Sequence, residues 1–216
     1  MGKRAKRIGI FGGTFNPIHI GHLIIATAVL EEKHLDEVLF VPCALPPHKG
    51  SGELAPGGDR LRMVELAVSS NPGFRASDIE LKRGGRSYSV KTIEELKRRF
   101  NRGEEFYFIV GADSLHEIST WKDVERLSGL CDFIIAARSG YPLRGLSAES
   151  LSVGKEVFRR LAAGIVETPV IDISSTEIRN RVGEGKCIDY MVPEAVAEYI
   201  SRKGLYQKYE KKSDAG

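Results

Sequence analysis

The regular alternation of short apolar runs with amphipathic stretches most constrains the fold of this 216-residue chain. Apolar runs of this kind are typical of buried strands, and strands joined by helices form parallel sheets that are covered on both faces. The sequence therefore predicts an α/β fold with a doubly wound parallel sheet. Strands are expected at Arg7 to Phe11, Glu37 to Pro42, Phe74 to Leu81, Phe106 to Val110 and Cys131 to Ala137, and helices at Leu23 to Glu32, Arg60 to Ser69, Ser89 to Phe100 and Val124 to Leu130.

The turn after the first predicted strand carries the strongest functional signal. Residues 12–22 read Gly-Gly-Thr-Phe-Asn-Pro-Ile-His-Ile-Gly-His, and an apolar helical stretch follows. Glycines let the backbone approach an anion closely, and the first amides of a helix attract it. The spacing matches neither a Lys-Ser/Thr phosphate loop nor a dinucleotide fingerprint. His19 and His22 could cap the helix or fill a surface groove; facing one anion together, they would form a phosphate site of another kind.

Composition indicates one enzyme-sized globular domain. The chain is 42% hydrophobic and has a net charge of +3, so neither nucleic acid nor a membrane is expected as its partner. Cys43, Cys131 and Cys187 lack the spacing of a zinc site or a disulfide framework, and no apolar run is long enough to span a bilayer. We expect a cytoplasmic protein with a single domain over residues 1–206, helical from about residue 172, and a flexible tail at 207–216. Both a monomer and a homo-oligomer are compatible with the sequence.

Three further segments are candidates for the site. The proline- and glycine-rich stretch 44–58 contains His48 and Lys49 and is either a surface excursion or a lid. Ser174 and Glu177 have the spacing of a capping box, and the same helix start is a second place where phosphates can bind. Asp113 follows a predicted strand and is either a helix N-cap or a ligand for ribose hydroxyls.

Several motifs together resemble those of the bacterial nicotinate mononucleotide adenylyltransferase family, within the HxGH nucleotidyltransferase superfamily. The resemblance runs through nearly the whole chain. Its motifs are the residue 12–22 segment, Pro46-Pro47-His48-Lys49, Ser87 to Thr92, Gly111-Ala112-Asp113 with Trp121, Arg138 to Tyr141, Ile173 to Arg179, and Val192-Pro193 with Gly204-Leu205-Tyr206. The resemblance implies a Rossmann-like nucleotidyltransferase fold and a small helical C-terminal part.

The resemblance also implies an activity and a set of site residues. The reaction is ATP plus nicotinate mononucleotide giving nicotinate adenine dinucleotide and pyrophosphate, with Mg²⁺ carried on the ATP phosphates and no metal held by protein ligands alone. His19 and His22 are the implied catalytic residues. The implied ATP and phosphate ligands are Gly12, Gly13, Thr14, Phe15, Lys49, Gly111, Asp113, Arg138, Ser175, Thr176 and Arg179, and the implied nicotinate mononucleotide ligands are His48, Ser89 and Trp121.

Two departures from the family pattern concern substrate choice. Ser89 stands where the family often has threonine, and Lys91 stands where it often has aspartate. Serine keeps the hydroxyl group, whereas Lys91 either faces solvent or changes the charge near the mononucleotide. Alternatives are therefore a nicotinamide mononucleotide adenylyltransferase, another HxGH adenylyl- or cytidylyltransferase, and a nucleotide sensor without turnover. The intact histidine pair argues against the sensor.

Overall fold

The computed structural model describes residues 4–46, 54–100, 103–138 and 146–207, and its framework is a six-stranded parallel sheet. The strands are β1 (Arg7–Gly13), β2 (Glu37–Pro42), β3 (Phe74–Ala76), β4 (Glu105–Gly111), β5 (Asp132–Arg138) and β6 (Ile165–Thr168). Their order is β3-β2-β1-β4-β5-β6. The chain therefore winds outward from β1 in one direction and then from β4 in the other, as the doubly wound prediction requires.

Helices cover both faces of this sheet. They are α1 (Ile20–Glu32), α2 (Gly57–Val68), α3 (Ile79–Arg83), α4 (Ser89–Phe100), α5 (Val124–Leu130), α6 (Lys155–Ala163), α7 (Ser175–Gly183) and α8 (Glu194–Lys203), with a 3₁₀ helix at Ala112–Thr120. The N-cap of α7 is Ser174, whose hydroxyl accepts a hydrogen bond of 3.1 Å from the amide of Glu177. That bond is one of the two in the predicted capping box.

The alternating side chains of the strands divide the core into two layers. Ile10, Phe108 and Ile135 point into one layer, where α4, α5, α6 and the 3₁₀ helix pack. Phe40 and Ile134 point into the other, together with residues of α1, α2, α7 and α8. A sheet buried on both faces explains why its strands read as continuous apolar runs.

Most predicted elements are confirmed, and one is wrong over part of its length. The stretch expected to be extended from Phe74 to Leu81 forms a strand only to Ala76, and α3 begins at Ile79. Ile79 is fully buried, so a single apolar side chain anchors a helix too short to show a helical period. The division at residue 172 stays a prediction, and residues 208–216 lie outside the described part of the chain. No helix in the described ranges is long and apolar enough to cross a bilayer.

Candidate active site

The glycine-rich turn lies at the centre of the sheet, where β1 and β4 are neighbours. Gly12 and Gly13 end β1, and Gly111 ends β4. These two strands flank the point at which the winding direction reverses. In open parallel sheets the carboxyl ends of strands diverge at such a point and leave a crevice for a ligand.

His19 and His22 lie beside this crevice with their rings against each other. The ring centroids are 3.7 Å apart and the planes differ by 34°. His19 is the N-cap residue of α1, and its amide donates a 3.2 Å hydrogen bond to Nδ1 of His22. Because Nδ1 of His22 accepts this bond, the neutral ring carries its proton on Nε2. His22 can thus donate one hydrogen bond from a fixed nitrogen.

Two glycines make this arrangement sterically possible. A Cβ atom at Gly21 would lie 3.0 Å from Nδ1 of His19, and one at Gly13 would lie 3.0 Å from the Phe15 ring. Phe15 itself has a φ of 47°, in the left-handed region that a bulky side chain rarely occupies. Any side chain at the position between the two histidines would therefore push the His19 imidazole away from its place.

Aromatic neighbours keep the histidine pair uncharged. The rings of Phe11 and Phe15 approach that of His22 edge-on, with centroids 5.9 and 5.1 Å away. Burial lowers the pKa of His22 well below its ordinary value, and the neighbouring His19 lowers it further. Burial lowers the pKa of His19 to about 4. Near neutral pH the pair offers neutral N–H donors, and a bound anion would favour their protonation.

The second predicted helix start lies against the same turn. The hydroxyl of Ser175 donates a 2.8 Å hydrogen bond to the carbonyl of Pro17, and Nη1 of Arg179 donates a 3.0 Å bond to the carbonyl of Asn16. Nη2 of Arg179 lies 3.4 Å from the hydroxyl of Thr176. The N-terminus of α7 therefore both braces the turn and brings a guanidinium group next to it.

Asn16 connects this turn to two distant parts of the chain. Its side-chain Oδ1 accepts hydrogen bonds from the amide of Ala55, at 3.0 Å, and from the hydroxyl of Tyr206, at 2.9 Å. Asn16 is only 6% exposed. The shape of the turn therefore depends on contacts made after α8, near the end of the described chain.

A cavity of about 530 Å³ opens beside the turn, and Phe11, which contacts His22, is one of its lining residues. Trp121 and Tyr88 pack against the core layer that contains Phe108, whereas Phe11 and Phe15 beside His22 belong to the opposite layer. Trp121 meets Phe108 edge-on at 5.6 Å between centroids. Predicted site residues that line the cavity are Gly12, Gly13, Thr14, Gly111, Ser89 and Trp121.

Cations stand at the wall of this cavity. Nζ of Lys122 lies 4.8 Å from the centroid of Tyr88, and both residues line the cavity. Lys91 approaches the same ring at 5.7 Å but does not line the cavity. The buried carboxylate of Glu80, also in the lining, accepts a hydrogen bond from Thr92 and lies 3.6 Å from Arg83. Lys122 therefore borders an aromatic cavity and has no carboxylate partner among the described residues.

The cavity wall is completed by two loops that pair with each other. The amide of Ala44 donates a 2.9 Å hydrogen bond to the hydroxyl of Ser87, and the amide of Ser87 donates a 3.0 Å bond to the carbonyl of Leu45. This pairing joins the end of β2 to the start of α4, so the cavity is assembled from segments more than 40 positions apart.

The remaining predicted residues fall into three groups. His48 and Lys49 lie outside the described residues, and Arg138 is described only as the last residue of β5. Asp113 lies in the first turn of the 3₁₀ helix, whose N-cap is Gly111. The alternative that Asp113 is a helix N-cap is therefore wrong, because the helix begins at Ala112, one residue before Asp113.

Two residues that shape the site, Arg60 and Lys122, were not predicted, and Ser87 was named only as part of a family motif. Lys122 has no local pattern that distinguishes it from surface residues. Arg60 had a usable signal, since it shares the spacing i, i+3, i+4 and i+7 with Met63, Val64 and Ala67, which are buried. A charged residue at a position on the apolar face of a helix indicates a buried charge.

Comparison with known proteins gives concordant matches. A family model described as cytidylyltransferase-like matches residues 10–181. A protein of Moorella thermoacetica named probable nicotinate-nucleotide adenylyltransferase is 45% identical, over 94% of this chain and 93% of its own length. A protein of Desulfatibacillum aliphaticivorans with the same name is 43% identical, over 93% of this chain and 99% of its own length.

Solved structures match the fold at lower identity. Plasmodium falciparum nicotinic acid mononucleotide adenylyltransferase, solved in complex with NaAD, superposes with a TM-score of 0.73 at 22% identity. The match covers 93% of this chain and 97% of that one. The doubly wound, Rossmann-like nucleotidyltransferase fold expected from the motifs is therefore confirmed.

Proposed function

Because the chain belongs to the nicotinate-nucleotide adenylyltransferase family, we propose that its cleft binds ATP and nicotinate mononucleotide on opposite sides of the Gly12–Thr14 turn. The adenylyl group passes from ATP to the mononucleotide, giving nicotinate adenine dinucleotide and pyrophosphate. One observation carries this assignment: the glycine-rich turn lines an aromatic cavity that contains Trp121, and the histidine pair follows the same turn in the chain, with the ring of His22 against Phe11 and Phe15.

The histidine side suits the triphosphate. Nε2 of His22 is the free donor of its ring, because Nδ1 is occupied by the amide of His19. Neutral imidazoles and backbone amides can bind phosphate oxygens without first breaking an ion pair with another group of the protein. As negative charge moves to the leaving pyrophosphate, proton donors already in place stabilise it without reorganisation.

The chemistry needs no general base from the protein. The phosphate of the mononucleotide is largely ionised near neutral pH, since the second pKa of a phosphate monoester is about 6. One of its oxygens forms the new bond to the α-phosphorus of ATP. The bond from that phosphorus to the oxygen between the α- and β-phosphates breaks, and this oxygen leaves with pyrophosphate. His19 and His22 then act by positioning and charge stabilisation.

The other phosphate-binding assignments follow from position around the turn. Gly12, Gly13, Thr14 and Phe15 form the turn itself, and we assign their amides and the Thr14 hydroxyl to the reacting phosphates. Ser175, Thr176 and Arg179 stand at the N-terminus of α7, which contacts the turn. We assign this helix start to the terminal phosphates, and Gly111 and Asp113 to the adenosine side. Lys49 and Arg138 keep the phosphate roles that the family resemblance gives them.

The cavity side suits the mononucleotide. Trp121 presents an aromatic surface on which a pyridine ring can stack, and Ser89 also lines the cavity. The ammonium group of Lys122 favours a substrate whose ring carries a carboxylate over one that carries a neutral amide. The cation therefore supports nicotinate over nicotinamide mononucleotide. His48, by family resemblance, belongs to this side.

Mg²⁺ fits as an ion carried by ATP. The described residues contain no group of three His, Cys, Asp or Glu side chains that could enclose a cation. Around the turn the protein offers imidazole, hydroxyl and guanidinium groups, so phosphate oxygens and water would supply the ligands of the metal. Bound in this way, Mg²⁺ neutralises part of the triphosphate charge.

Steady-state kinetics test the assignment directly. We expect pyrophosphate release from ATP only when a mononucleotide is present, with a higher kcat/KM for nicotinate than for nicotinamide mononucleotide. Equal kcat/KM values for the two would overturn the acid preference. Tight ATP binding without pyrophosphate release in the presence of either mononucleotide would favour the nucleotide sensor.

A further inference from the structure

Arg60, in the first turn of α2, is a buried cation without a buried anion to match it. It is 1% exposed, and no carboxylate of the described residues lies within ion-pair distance of its guanidinium group. The neighbouring carboxylate of Asp59 accepts a 2.7 Å hydrogen bond from the hydroxyl of Tyr199 instead. Removing a guanidinium from water costs several kcal/mol unless the site compensates it.

The partners of Arg60 are backbone carbonyls from three separate segments. Nη1 donates a 2.8 Å hydrogen bond to Thr14 of the glycine-rich turn. Nη2 donates a 3.3 Å bond to Ala44, and Nε donates a 3.0 Å bond to Ala55. One planar group therefore joins the turn to both chain segments that flank residues 47–53.

These contacts satisfy the hydrogen-bond donors of Arg60 but do not neutralise its positive charge. A carbonyl oxygen carries only a partial charge, and the Cys43 sulfur at 3.9 Å is a weak acceptor. The buried carboxylate in the cavity lining, that of Glu80, is engaged by Thr92 and Arg83. A positive charge thus remains directly behind Thr14, inside the protein, where screening is weak.

We propose that Arg60 is a positioning residue for the nucleotide phosphates. It fixes the turn through the Thr14 carbonyl, and its charge attracts the polyphosphate from behind the turn. Arg60 does not line the cavity, so it acts through the backbone and through its field. The proposal rests on the proposed function in one respect, which is that the anionic ligand of the turn is ATP.

The test is the dependence of affinity on ligand charge. Arg60→Met keeps the length of the side chain and removes its charge; Arg62→Met is the matched control, because Arg62 lies exposed on the same helix, 2.9 Å from Glu65. Binding of adenosine, AMP, ADP and ATP is measured by calorimetry at one ionic strength. We expect Arg60→Met to weaken ATP binding by roughly tenfold or more and adenosine binding by less than about twofold, with AMP and ADP between them.

An equal loss for adenosine and ATP would show a purely structural role and overturn the proposal, as would unchanged ATP affinity. Arg60→Lys separates the two parts of the proposal, since lysine keeps the charge but cannot bond to three segments at once. Because the charge is kept, we expect Arg60→Lys to keep the wild-type ratio of ATP affinity to adenosine affinity, while kcat stays below the wild-type value. If Arg60→Met does not fold, Arg60→Lys decides alone: a ratio of ATP affinity to adenosine affinity well below the wild-type ratio, or an unchanged kcat, contradicts the proposal.

The wild-type protein separates failure of this inference from failure of the proposed function. If the wild type binds ATP and forms product while Arg60→Met binds ATP normally, only the role of Arg60 is wrong. If the wild type binds no ATP, the proposed function itself fails.

Discussion

The two sides of the cleft are built by opposite means. The histidine side comes from one continuous stretch, in which a backbone hydrogen bond, a glycine and two phenylalanines hold His22. The Trp121 side is assembled from the end of β2, the start of α4 and the 3₁₀ helix, and it is bordered by the exposed Lys122. Under the proposed function, one side fixes the geometry of the chemical step and the other selects the substrate. Substitutions on the two sides should therefore change different kinetic constants.

The largest expected effect is on the histidine side. His22→Ala removes the donor with the best-defined direction, and we expect kcat to fall by roughly 10²-fold or more, as for the loss of a charge-stabilising donor. The measurement is kcat at saturating ATP and nicotinate mononucleotide. His34→Asn is the control, because His34 is exposed and asparagine tolerates its positive φ of 48°. A near-normal kcat for His22→Ala would show that the histidine side takes no part in the chemical step.

The next effect belongs to the cavity side. Trp121→Ala removes the stacking surface, and we expect KM for nicotinate mononucleotide to rise roughly tenfold while KM for ATP changes little. Trp121→Phe keeps an aromatic ring and should recover most of the loss. A rise confined to KM for ATP would place Trp121 on the other substrate and reverse the assignment of the two sides.

The histidine side should also reveal itself through acid stability. Folding lowers the pKa of His19 to about 4, below its ordinary value of about 6.5. Between these pH values the unfolded chain binds more protons than the native protein, so stability falls as the pH is lowered through this window. The free energy of unfolding of the wild type should fall between pH 7.5 and pH 4.5. In His19→Asn this fall should be smaller by about 2 kcal/mol.

Urea unfolding of wild type, His19→Asn and His34→Asn at both pH values measures this difference. The matched His34→Asn variant should keep the full wild-type loss. An identical loss in all three proteins would mean that His19 is not held neutral by burial.

The smallest effect concerns substrate preference. Lys122→Met removes an exposed charge, and we expect the ratio of kcat/KM for nicotinate to that for nicotinamide mononucleotide to fall by about two- to fivefold, the usual worth of an exposed ion pair. Lys91→Met is a matched control, because Lys91 contacts the same Tyr88 ring from outside the cavity. Equal effects of both substitutions would assign the preference to net charge rather than to the position of Lys122.

The same contrast explains what could be predicted from sequence. The turn, its histidines and the capping of α7 are local, so spacing alone indicated where α7 begins. The cavity depends on contacts such as that of Ala44 with Ser87, and no local pattern reports which loops meet. The short strand β6, of four residues, and the 3₁₀ helix were also missed, since neither is long enough to show a clear period.

The hydrogen bond between Asn16 and Tyr206 joins residues 190 positions apart. During synthesis, the turn that contains Asn16 leaves the ribosome well before Tyr206 has been made. Its final shape must wait for the tyrosine, so this contact forms only after 190 further residues have joined the chain. A chain that stops before residue 206 would carry the whole residue 12–22 segment and still lack one of the bonds that shape it.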